Sequence, residues 1–319
     1  MSYNCAIVGL GAISKNHARA ILKCSSKIVA ACDTDIQKLQ NFCDEYNCEG
    51  FDSFDKMLEN SSIDALHICT PHFLHFEMIE KAVEKNIAVF VEKPPVTTKD
   101  QLDKLTQLSE KGKICVCFQN RFNETTEFVK DLILSGKYGN LVGANATVNW
   151  NRKDEYYTKS DWRGRIEKEC GSVLINQSIH TLDLLCYLLG TPKLVNASVL
   201  NMATPYIETE DTVTAIIDFD DKRATFFATV CAASSPPATI CLQFENAYVR
   251  FDGKSVSVFE KNLGTKDFNI KSVGKDCWGS SHEKLIDLFY KTLETEQNPM
   301  PVTDCLDTMN LLFDIYKRR

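Results

Sequence analysis

Short apolar segments alternate with amphipathic segments through the first third of this 319-residue chain. The strand-like segments include NCAIVG at 4–9, KIVAACD at 27–33 and IAVFVE at 87–92, and a helical pattern follows each of them. Strands that alternate with helices form a parallel sheet with helices on both of its faces. Residues 1–121 are therefore predicted to form a doubly wound α/β domain with a parallel sheet.

After residue 121 the pattern changes to consecutive strand-like segments separated by turn residues. Examples are DTVTAIIDF at 211–219 and RATFFATVC at 223–231. Consecutive strands favour an antiparallel or mixed sheet, so residues 122–319 are predicted to form an α+β domain. The apolar residues of these strands exceed what one helix layer can cover. We therefore expect the open face of this sheet to self-associate, giving a homodimer or homotetramer.

The charge balance excludes some partners. The chain has 36 Lys and Arg against 43 Asp and Glu, a net charge of −7, and its basic run is confined to 317–319. A nucleic-acid partner is therefore not expected. No apolar run approaches the ~20 residues that a membrane span needs, and no basic leader precedes the first strand. We expect a cytoplasmic protein whose 14 cysteines are reduced and mostly lie in apolar runs.

A glycine-rich turn follows the first strand in CAIVGLGAIS. Gly9 permits a tight turn, Gly11 would let the backbone approach a pyrophosphate, and Ser14 occupies the position of the third glycine of the dinucleotide fingerprint. The pattern alone is weak, since glycine also serves plain strand-to-helix turns. Asp33 ends the second strand, at about the ~20-residue spacing expected for the acid that binds an adenosine ribose. No arginine follows it, which favours NAD over NADP.

Polar residues also follow the next strands, in CTPHFLH at 69–75 and VEKPP at 91–95. Ligands of open α/β sheets bind beyond the carboxyl ends of the strands. Lys93, which directly follows a buried strand and is held extended by the proline after it, is therefore a candidate for chemistry. The alternative is that Glu92 and Lys93 are an ordinary charged pair at a sheet edge with no functional role. His72 and His75 have a spacing that metal pairs use, but no acidic partner accompanies them, and no metal site is predicted.

The segment SVLINQSIHTLD at 172–183 is predicted to be one helix with a polar stripe of Asn176, His180 and Asp183 on an apolar rod. Together with GLGAIS, Asp33, TPHFLH and EKP at 92–94, this Ile-His-x-x-Asp pattern resembles the glucose-fructose oxidoreductase / inositol dehydrogenase (Gfo/Idh/MocA) family. The resemblance extends to the closing LLFDIYKRR. It implies a Rossmann domain, a second open-faced sheet domain, and an active site in the cleft between them.

The resemblance implies roles for residues at matching positions. Lys93 and His180 would be catalytic. Asn176, Tyr157 and Asp183 are expected to contact substrate, with Asp183 also open to a structural role. Arg121 is a further candidate for substrate contact because it follows the strand CVCF and Gln119-Asn120. The cofactor would be bound by Gly9, Gly11, Ala12, Ile13, Asp33, Thr70, Pro71, His75, Glu92, Gln119, Trp162 and Arg163, although Trp162 and its neighbours could also be ordinary packing residues.

The family's members mostly oxidise or reduce a hydroxyl or carbonyl of a sugar, cyclitol or similar small molecule with NAD or NADP. The resemblance therefore implies an NAD-dependent oxidoreductase acting on a sugar, sugar nucleotide or cyclitol. A glycosidase that uses NAD transiently and a noncatalytic dinucleotide sensor are alternatives on the same fold. Asn176 stands where many members carry aspartate, and the Asn-Gln-x-Ile-His version resembles a branch with UDP-linked aminosugar-uronate 3-dehydrogenases.

In our mechanistic hypothesis for the oxidising direction, His180 accepts the hydroxyl proton and Lys93 stabilises the developing alkoxide. The alternative is that the two residues exchange these roles. Asn176 can donate and accept hydrogen bonds at once, so it could orient a sugar hydroxyl.

Overall fold

The computed structural model describes residues 2–269 and 281–319. The chain divides into two compact units, one of residues 1–118 with 282–305 and one of residues 119–281 with 306–319. Residues 282–305, which the sequence prediction gave to the second domain, therefore pack in the first unit. The reason is aromatic packing: the ring of Phe289 lies 5.5 Å from Phe90, and Tyr290 stacks on His67 at 5.9 Å.

The first unit contains a six-stranded parallel sheet in the order β3-β2-β1-β4-β5-β6, which confirms the predicted doubly wound arrangement. Its strands are β1 (Asn4–Val8), β2 (Lys27–Cys32), β3 (Glu49–Phe51), β4 (Ala65–Ile68), β5 (Ala88–Glu92) and β6 (Ile114–Cys117). The residues of β1, β4, β5 and β6 are almost all buried. Both faces of the central strands are therefore covered, as their unbroken apolar runs predict.

The helices of the first unit are α1 (Ser14–Lys23), α2 (Ile36–Tyr46), α3 (Phe54–Asn60), α4 (His75–Glu84) and α5 (Lys99–Leu108). Side-chain caps fix several starts: Asp35 accepts from two N–H groups of α2, and Thr98 accepts from one of α5. The sequence analysis did not find β3 or α3, because an edge strand of three residues carries no readable alternation.

The second unit contains an eight-stranded sheet in the order β14-β13-β12-β11-β7-β10-β9-β8. Its strands are β7 (Leu141–Asn149), β8 (Lys193–Leu200), β9 (Thr212–Phe219), β10 (Lys222–Thr229), β11 (Thr239–Phe244), β12 (Ala247–Phe251), β13 (Ser255–Glu260) and β14 (Gly264–Asn269). The β7–β10 pair is parallel and the other pairs are antiparallel, so the sheet is mixed, as predicted.

One face of this second sheet is buried and the other is exposed. Val213 and Ile217 on β9 are buried, whereas Thr214 and Ile216 between them are exposed. Helix α9 (Ile179–Leu189) packs against β7 and β10. Self-association through the exposed face stays a prediction.

The remaining helices are α6 (Glu124–Leu134), α7 (Asp154–Thr158), α8 (Ile166–Glu169), α10 (Ser281–Lys291) and α11 (Val302–Tyr316). The predicted start of α10 near residue 280 lies outside the described residues. None of the helices described in 2–269 and 281–319 is both long and apolar enough to cross a bilayer.

The single helix predicted over 172–183 is wrong. Val173–Gln177 form one π-helical turn, and α9 begins only at Ile179, after a break at Ser178. The break is stabilised locally, because the hydroxyl of Ser178 donates to the carbonyl of Val173 at 2.7 Å. Asn176 and His180 therefore belong to different helical segments, while Asp183 follows His180 by one turn of α9.

Candidate functional site

The turn between β1 and α1 has the geometry that its glycines suggest. Gly9 has φ +84°, and a Cβ at this position would lie 2.6 Å from the backbone nitrogen of Thr70. Gly11 differs, since no atom lies within 4 Å of where its Cβ would be. Gly9 is therefore needed to close the turn against the end of β4, whereas Gly11 leaves open space beside the backbone.

The start of α1 suits an anion. Residue Ile13 at the N-cap makes no side-chain capping hydrogen bond, and the first turn of α1 contains no acidic residue. Ala12 is exposed, and the hydroxyl of Ser14 donates to the carbonyl of Gly11 at 2.7 Å, which fixes the turn. Uncapped N–H groups and the partial positive charge of a helix start are the features that bind a pyrophosphate. Gly9, Gly11, Ala12 and Ile13 therefore fit the phosphate part of a dinucleotide.

Asp33 lies just beyond the end of β2 and holds two turns together. Its Oδ2 accepts from the backbone N–H of Leu10 at 2.7 Å, and its Oδ1 accepts from that of Asp35 at 2.9 Å. The residue is half-buried, so its carboxylate is both positioned by the backbone and partly accessible. Each carboxylate oxygen can accept a further bond, which fits a ribose hydroxyl as partner.

His75 ties the ends of β4 and β5 together. Its Nδ1 lies 2.7 Å from the carbonyl of Pro94 and its Nε2 lies 2.8 Å from the carbonyl of Thr70. Burial lowers the pKa of His75, and a neutral ring donates one of these two hydrogen bonds at a time. The half-buried Thr70 and Pro71 are thereby held beside the glycine turn.

Glu92 and Lys93 end β5. Glu92 is buried, and its Oε1 lies 2.9 Å from Nε2 of His17. Although burial raises it, the imidazoles of His17 and His282 bring the pKa of Glu92 well below its usual range, so it is a carboxylate. Lys93 is half-buried, and the Lys93–Pro94 bond is cis.

His180 and Gln119 meet in the second unit. The Nε2 atoms of these two buried side chains are 3.3 Å apart. An amide nitrogen can only donate, so with this orientation of the Gln119 amide Nε2 of His180 is the acceptor, and a neutral ring has its proton on Nδ1. Gln119, which the resemblance gave to the cofactor, thus selects the tautomer of the candidate proton carrier.

Arg121 and Asp183 form a bidentate ion pair below His180. Nε and Nη2 of Arg121 donate to the two carboxylate oxygens at 2.9 and 2.6 Å, and the hydroxyl of Thr308 donates to Oδ1 at 2.8 Å. Asp183 is fully buried and Arg121 is nearly so. These two residues, both predicted to contact substrate, therefore bind each other and fix α9.

Asn176 contacts an acid that the sequence analysis missed. Its Nδ2 donates to Oε1 of Glu169 at 2.6 Å and lies 3.3 Å from the hydroxyl of Tyr156. Glu169 is fully buried, its other oxygen accepts from the N–H of Gly164, and burial raises its pKa to about 7. The orientation of the Asn176 amide is therefore set by the ionised form of Glu169, which only accepts. No spacing rule marks Glu169 in the sequence.

Three further predicted residues lie near this acid but have partners of their own. The hydroxyl of buried Tyr157 is 2.9 Å from that of Ser172. The guanidinium of Arg163 lies 4.3 Å from the ring centre of Tyr156 and 4.9 Å from that of Trp162. Within the second unit, the guanidinium of Arg163 therefore packs against the rings of Trp162 and Tyr156.

A second missed acid, Glu210, anchors the π-helical turn. Its Oε1 accepts from the N–H groups of Ser172 and Leu174 at 2.9 and 3.0 Å and from the hydroxyl of Tyr316 at 2.9 Å. Arg319 donates to its other oxygen at 2.8 Å. The last residues of the chain therefore hold the turn that carries Asn176.

Comparisons with known proteins agree with this arrangement. Residues 3–120 match the family model described as "Oxidoreductase family, NAD-binding Rossmann fold", and residues 126–250 match the GFO/IDH/MocA C-terminal domain. Among curated proteins, the chain is 29% identical over 206 residues to D-glucoside 3-dehydrogenase of Escherichia coli K12, and 30% identical over 232 residues to scyllo-inositol 2-dehydrogenase (NAD(+)) of Bacillus subtilis 168. These matches span 60% and 69% of this chain but only 56% and 65% of the two relatives.

Solved structures match over nearly the whole chain. The WlbA dehydrogenase of Bordetella pertussis in complex with NADH and UDP-GlcNAcA superposes with a TM-score of 0.86 at 26% identity, covering 100% of this chain and 96% of that one. The Chromobacterium violaceum WlbA in the same type of complex gives 0.87 at 25% identity, covering 99% and 93%. A levoglucosan dehydrogenase gives 0.87 at 16% identity over 100% and 97%, which shows the fold alone.

Removing one partner of the Arg121–Asp183 pair should destabilise the protein strongly. Asp183→Ala leaves a buried guanidinium without its carboxylate, and we expect the free energy of unfolding in urea to fall by about 3–5 kcal/mol. The control is Asp103→Ala, which breaks an exposed pair with Lys99 and should cost about 0–1 kcal/mol. A loss for Asp183→Ala as small as the control's would contradict the positioning role.

Glu169 should make stability depend on pH. The pKa of Glu169 in the folded protein is about 7, above the usual 4.5, so the folded state binds the proton more tightly than the unfolded state does. The stability that this proton contributes is therefore lost as the pH rises from about 4.5 to about 7. Relative to Glu169→Gln, the wild-type free energy of unfolding should fall by about 3 kcal/mol between pH ~4.5 and ~7 and then level off. Parallel stability curves for the two proteins would show that Glu169 titrates normally.

Proposed function

Since the chain belongs to the GFO/IDH/MocA oxidoreductase family, we propose that it is an NAD-dependent dehydrogenase that interconverts a hydroxyl and a carbonyl on a sugar, sugar nucleotide or cyclitol. The observation that carries this proposal is the buried His180 in the second unit. The side-chain amide of Gln119 donates to Nε2 of His180 at 3.3 Å, which favours the tautomer with an unprotonated Nε2. A substrate hydroxyl that displaces the Gln119 N–H from Nε2 can then transfer its proton to the lone pair of this nitrogen.

The cofactor in this proposal is NAD rather than NADP. The uncapped start of α1 and the open space at Gly11 support a pyrophosphate, and the carboxylate of Asp33 supports an unmodified ribose. A carboxylate at this position would repel a 2′-phosphate. The two WlbA dehydrogenases, at 25–26% identity, are complexes with NADH.

The protein's own part in the reaction is to manage one proton and one developing charge. The nicotinamide supplies hydride transfer when it is bound. In the oxidising direction, His180 takes the hydroxyl proton at Nε2, and the ammonium of Lys93 stabilises the alkoxide. Gln119 and the Arg121–Asp183 pair orient His180, so they act through it.

Asn176 serves substrate recognition in this proposal. Its Nδ2 is directed to Glu169, so the carbonyl oxygen of the amide is the atom that accepts from a substrate hydroxyl or N–H.

The finer proposal is that the substrate is a nucleotide-linked aminosugar uronate. Its support is the Asn-Gln-x-Ile-His segment at 176–180 and the two WlbA dehydrogenases, whose structures are complexes with NADH and UDP-GlcNAcA. Both align with nearly the whole chain at 25–26% identity. Free sugars and cyclitols are the competing class, since the two curated relatives are named as a glucoside and an inositol dehydrogenase.

Lys93→Ala and His180→Ala should each lower turnover by at least ~100-fold, because each removes a group that acts in the transition state. NADH formation is measured over a panel of UDP-linked aminosugar uronates, free sugars and cyclitols, and NAD affinity is measured by fluorescence. Both variants should bind NAD normally. Lys99→Ala, which removes an exposed lysine paired with Asp103, is the control and should keep full activity. Unchanged turnover in the two test variants would end the assignment.

Asp33→Ala should lower kcat/KM for NAD by about 10- to 100-fold, since hydrogen bonds to a charged acceptor contribute about 1.5–3 kcal/mol. The kcat/KM for NADP should not fall, so the preference for NAD over NADP becomes smaller. The matched control is Asp35→Ser, which removes a carboxylate two residues after Asp33. Serine can still cap the start of α2, so the helix should be preserved. An equal loss with NAD and NADP would show that Asp33 is only a structural link between the turns.

A further inference from the structure

Three side chains that could hold a cation converge in the first unit: His17, Glu92 and His282. One ligand atom from each lies within 4.8 Å of the other two. Nε2 of His17 is 2.9 Å and Nε2 of His282 is 3.3 Å from the same carboxylate oxygen, Oε1 of Glu92. The residues come from α1, from the end of β5 and from α10, so no local sequence pattern announces the cluster.

The nitrogen of His282 is the first indication of a ligand. It is buried and makes no hydrogen bond of acceptable geometry, even to the carboxylate oxygen 3.3 Å away. Buried polar atoms are nearly always satisfied, and each exception calls for an explanation. A buried imidazole nitrogen that faces a carboxylate oxygen without a well-formed hydrogen bond fits two ligands placed around a common cation.

The charge of the cluster is the second indication. Glu92 is buried, and its Oε1 faces the Nε2 atoms of both His17 and His282. The cluster therefore holds a carboxyl group away from water. Buried charges are usually paired or bound to a metal.

The hydrogen bonds behind His17 are compatible with a metal ligand. Nδ1 of His17 lies 2.9 Å from Nδ1 of His67, whose Nε2 lies 2.8 Å from the hydroxyl of Tyr290, and that hydroxyl lies 3.0 Å from the thiol of Cys5. If Nε2 of His17 binds a cation, Nδ1 carries the proton and donates to His67, which donates to Tyr290, which donates to Cys5. Metal-bound histidines generally donate their second N–H in this way.

We propose that His17, Glu92 and His282 form a binding site for a divalent transition metal of the zinc class. Two imidazole nitrogens and one carboxylate oxygen are a donor set that zinc uses, with a fourth position left for water or another ligand. Hydride transfer to NAD does not require this ion, so the inference goes beyond the proposed function.

The test uses Co2+ as a spectroscopic probe on the full chain, without NAD, followed by competition with Zn2+. One Co2+ per chain should bind with the visible absorption of a nitrogen and oxygen site, and Zn2+ should displace it. His282→Ala should weaken binding by at least 100-fold. His72→Ala is the matched control, since it removes an imidazole outside the cluster, and should leave the affinity unchanged.

Two further measurements keep the outcomes separate. His180→Ala should bind Co2+ like the wild type, so a failure of the proposed catalytic base leaves the metal site untouched. Circular dichroism checks that His282→Ala is folded, and His67→Phe, which removes the hydrogen bonds of His67 to His17 and Tyr290, should weaken binding by about 10- to 100-fold. Absence of saturable binding, equal affinity in His282→Ala, or the near-ultraviolet bands of a cobalt thiolate would overturn the proposal.

Discussion

The buried ion pair between Arg121 and Asp183 is the constraint on which the second unit's chemistry depends. Two charge-assisted hydrogen bonds of 2.9 and 2.6 Å join the turn after β6 to α9, and Thr308 adds a third contact to the same carboxylate. His180 lies one turn before Asp183 on α9, and Gln119 lies two residues before Arg121. The pair therefore holds both members of the Gln119–His180 contact, and a base fixed in this way loses little entropy when it meets a substrate.

The π-helical turn before α9 adds a second, separately anchored element. Glu210 fixes its backbone, and Glu169 fixes the amide of Asn176. In the first unit the same principle holds at the ends of β4 and β5, where His75 joins two turns and Glu92 is held by His17. His180, Asn176 and Glu92 are thus each supported by a buried polar neighbour, which is how precise geometry is maintained in enzyme sites.

The features that the sequence predicted correctly are those with local causes. Strand and helix alternation predicted the parallel sheet, and consecutive strands predicted the mixed sheet. The turn at Gly9 is fixed because a side chain there would clash with the backbone of Thr70. The break at Ser178 was missed because apolar periodicity runs through 172–189 without a proline or glycine to end the helix. Glu210 and the His17–Glu92–His282 cluster were missed because their partners lie far away along the chain, and such contacts exist only after folding. Glu169 was missed although Asn176 and Gly164 are only 7 and 5 residues away, because no spacing rule marks such a contact.

The central claim is direct hydride transfer from a substrate carbinol to NAD, with proton removal by His180. The most direct test uses a perdeuterated UDP-linked aminosugar uronate as substrate. Mass spectrometry then measures the transfer of deuterium from its ring carbons to the nicotinamide. Wild-type protein should transfer one deuterium to the nicotinamide for each carbonyl formed, and His180→Ala should slow that transfer by at least ~100-fold. Carbonyl formation without deuterium in the nicotinamide, or an unchanged transfer rate in His180→Ala, would contradict the account.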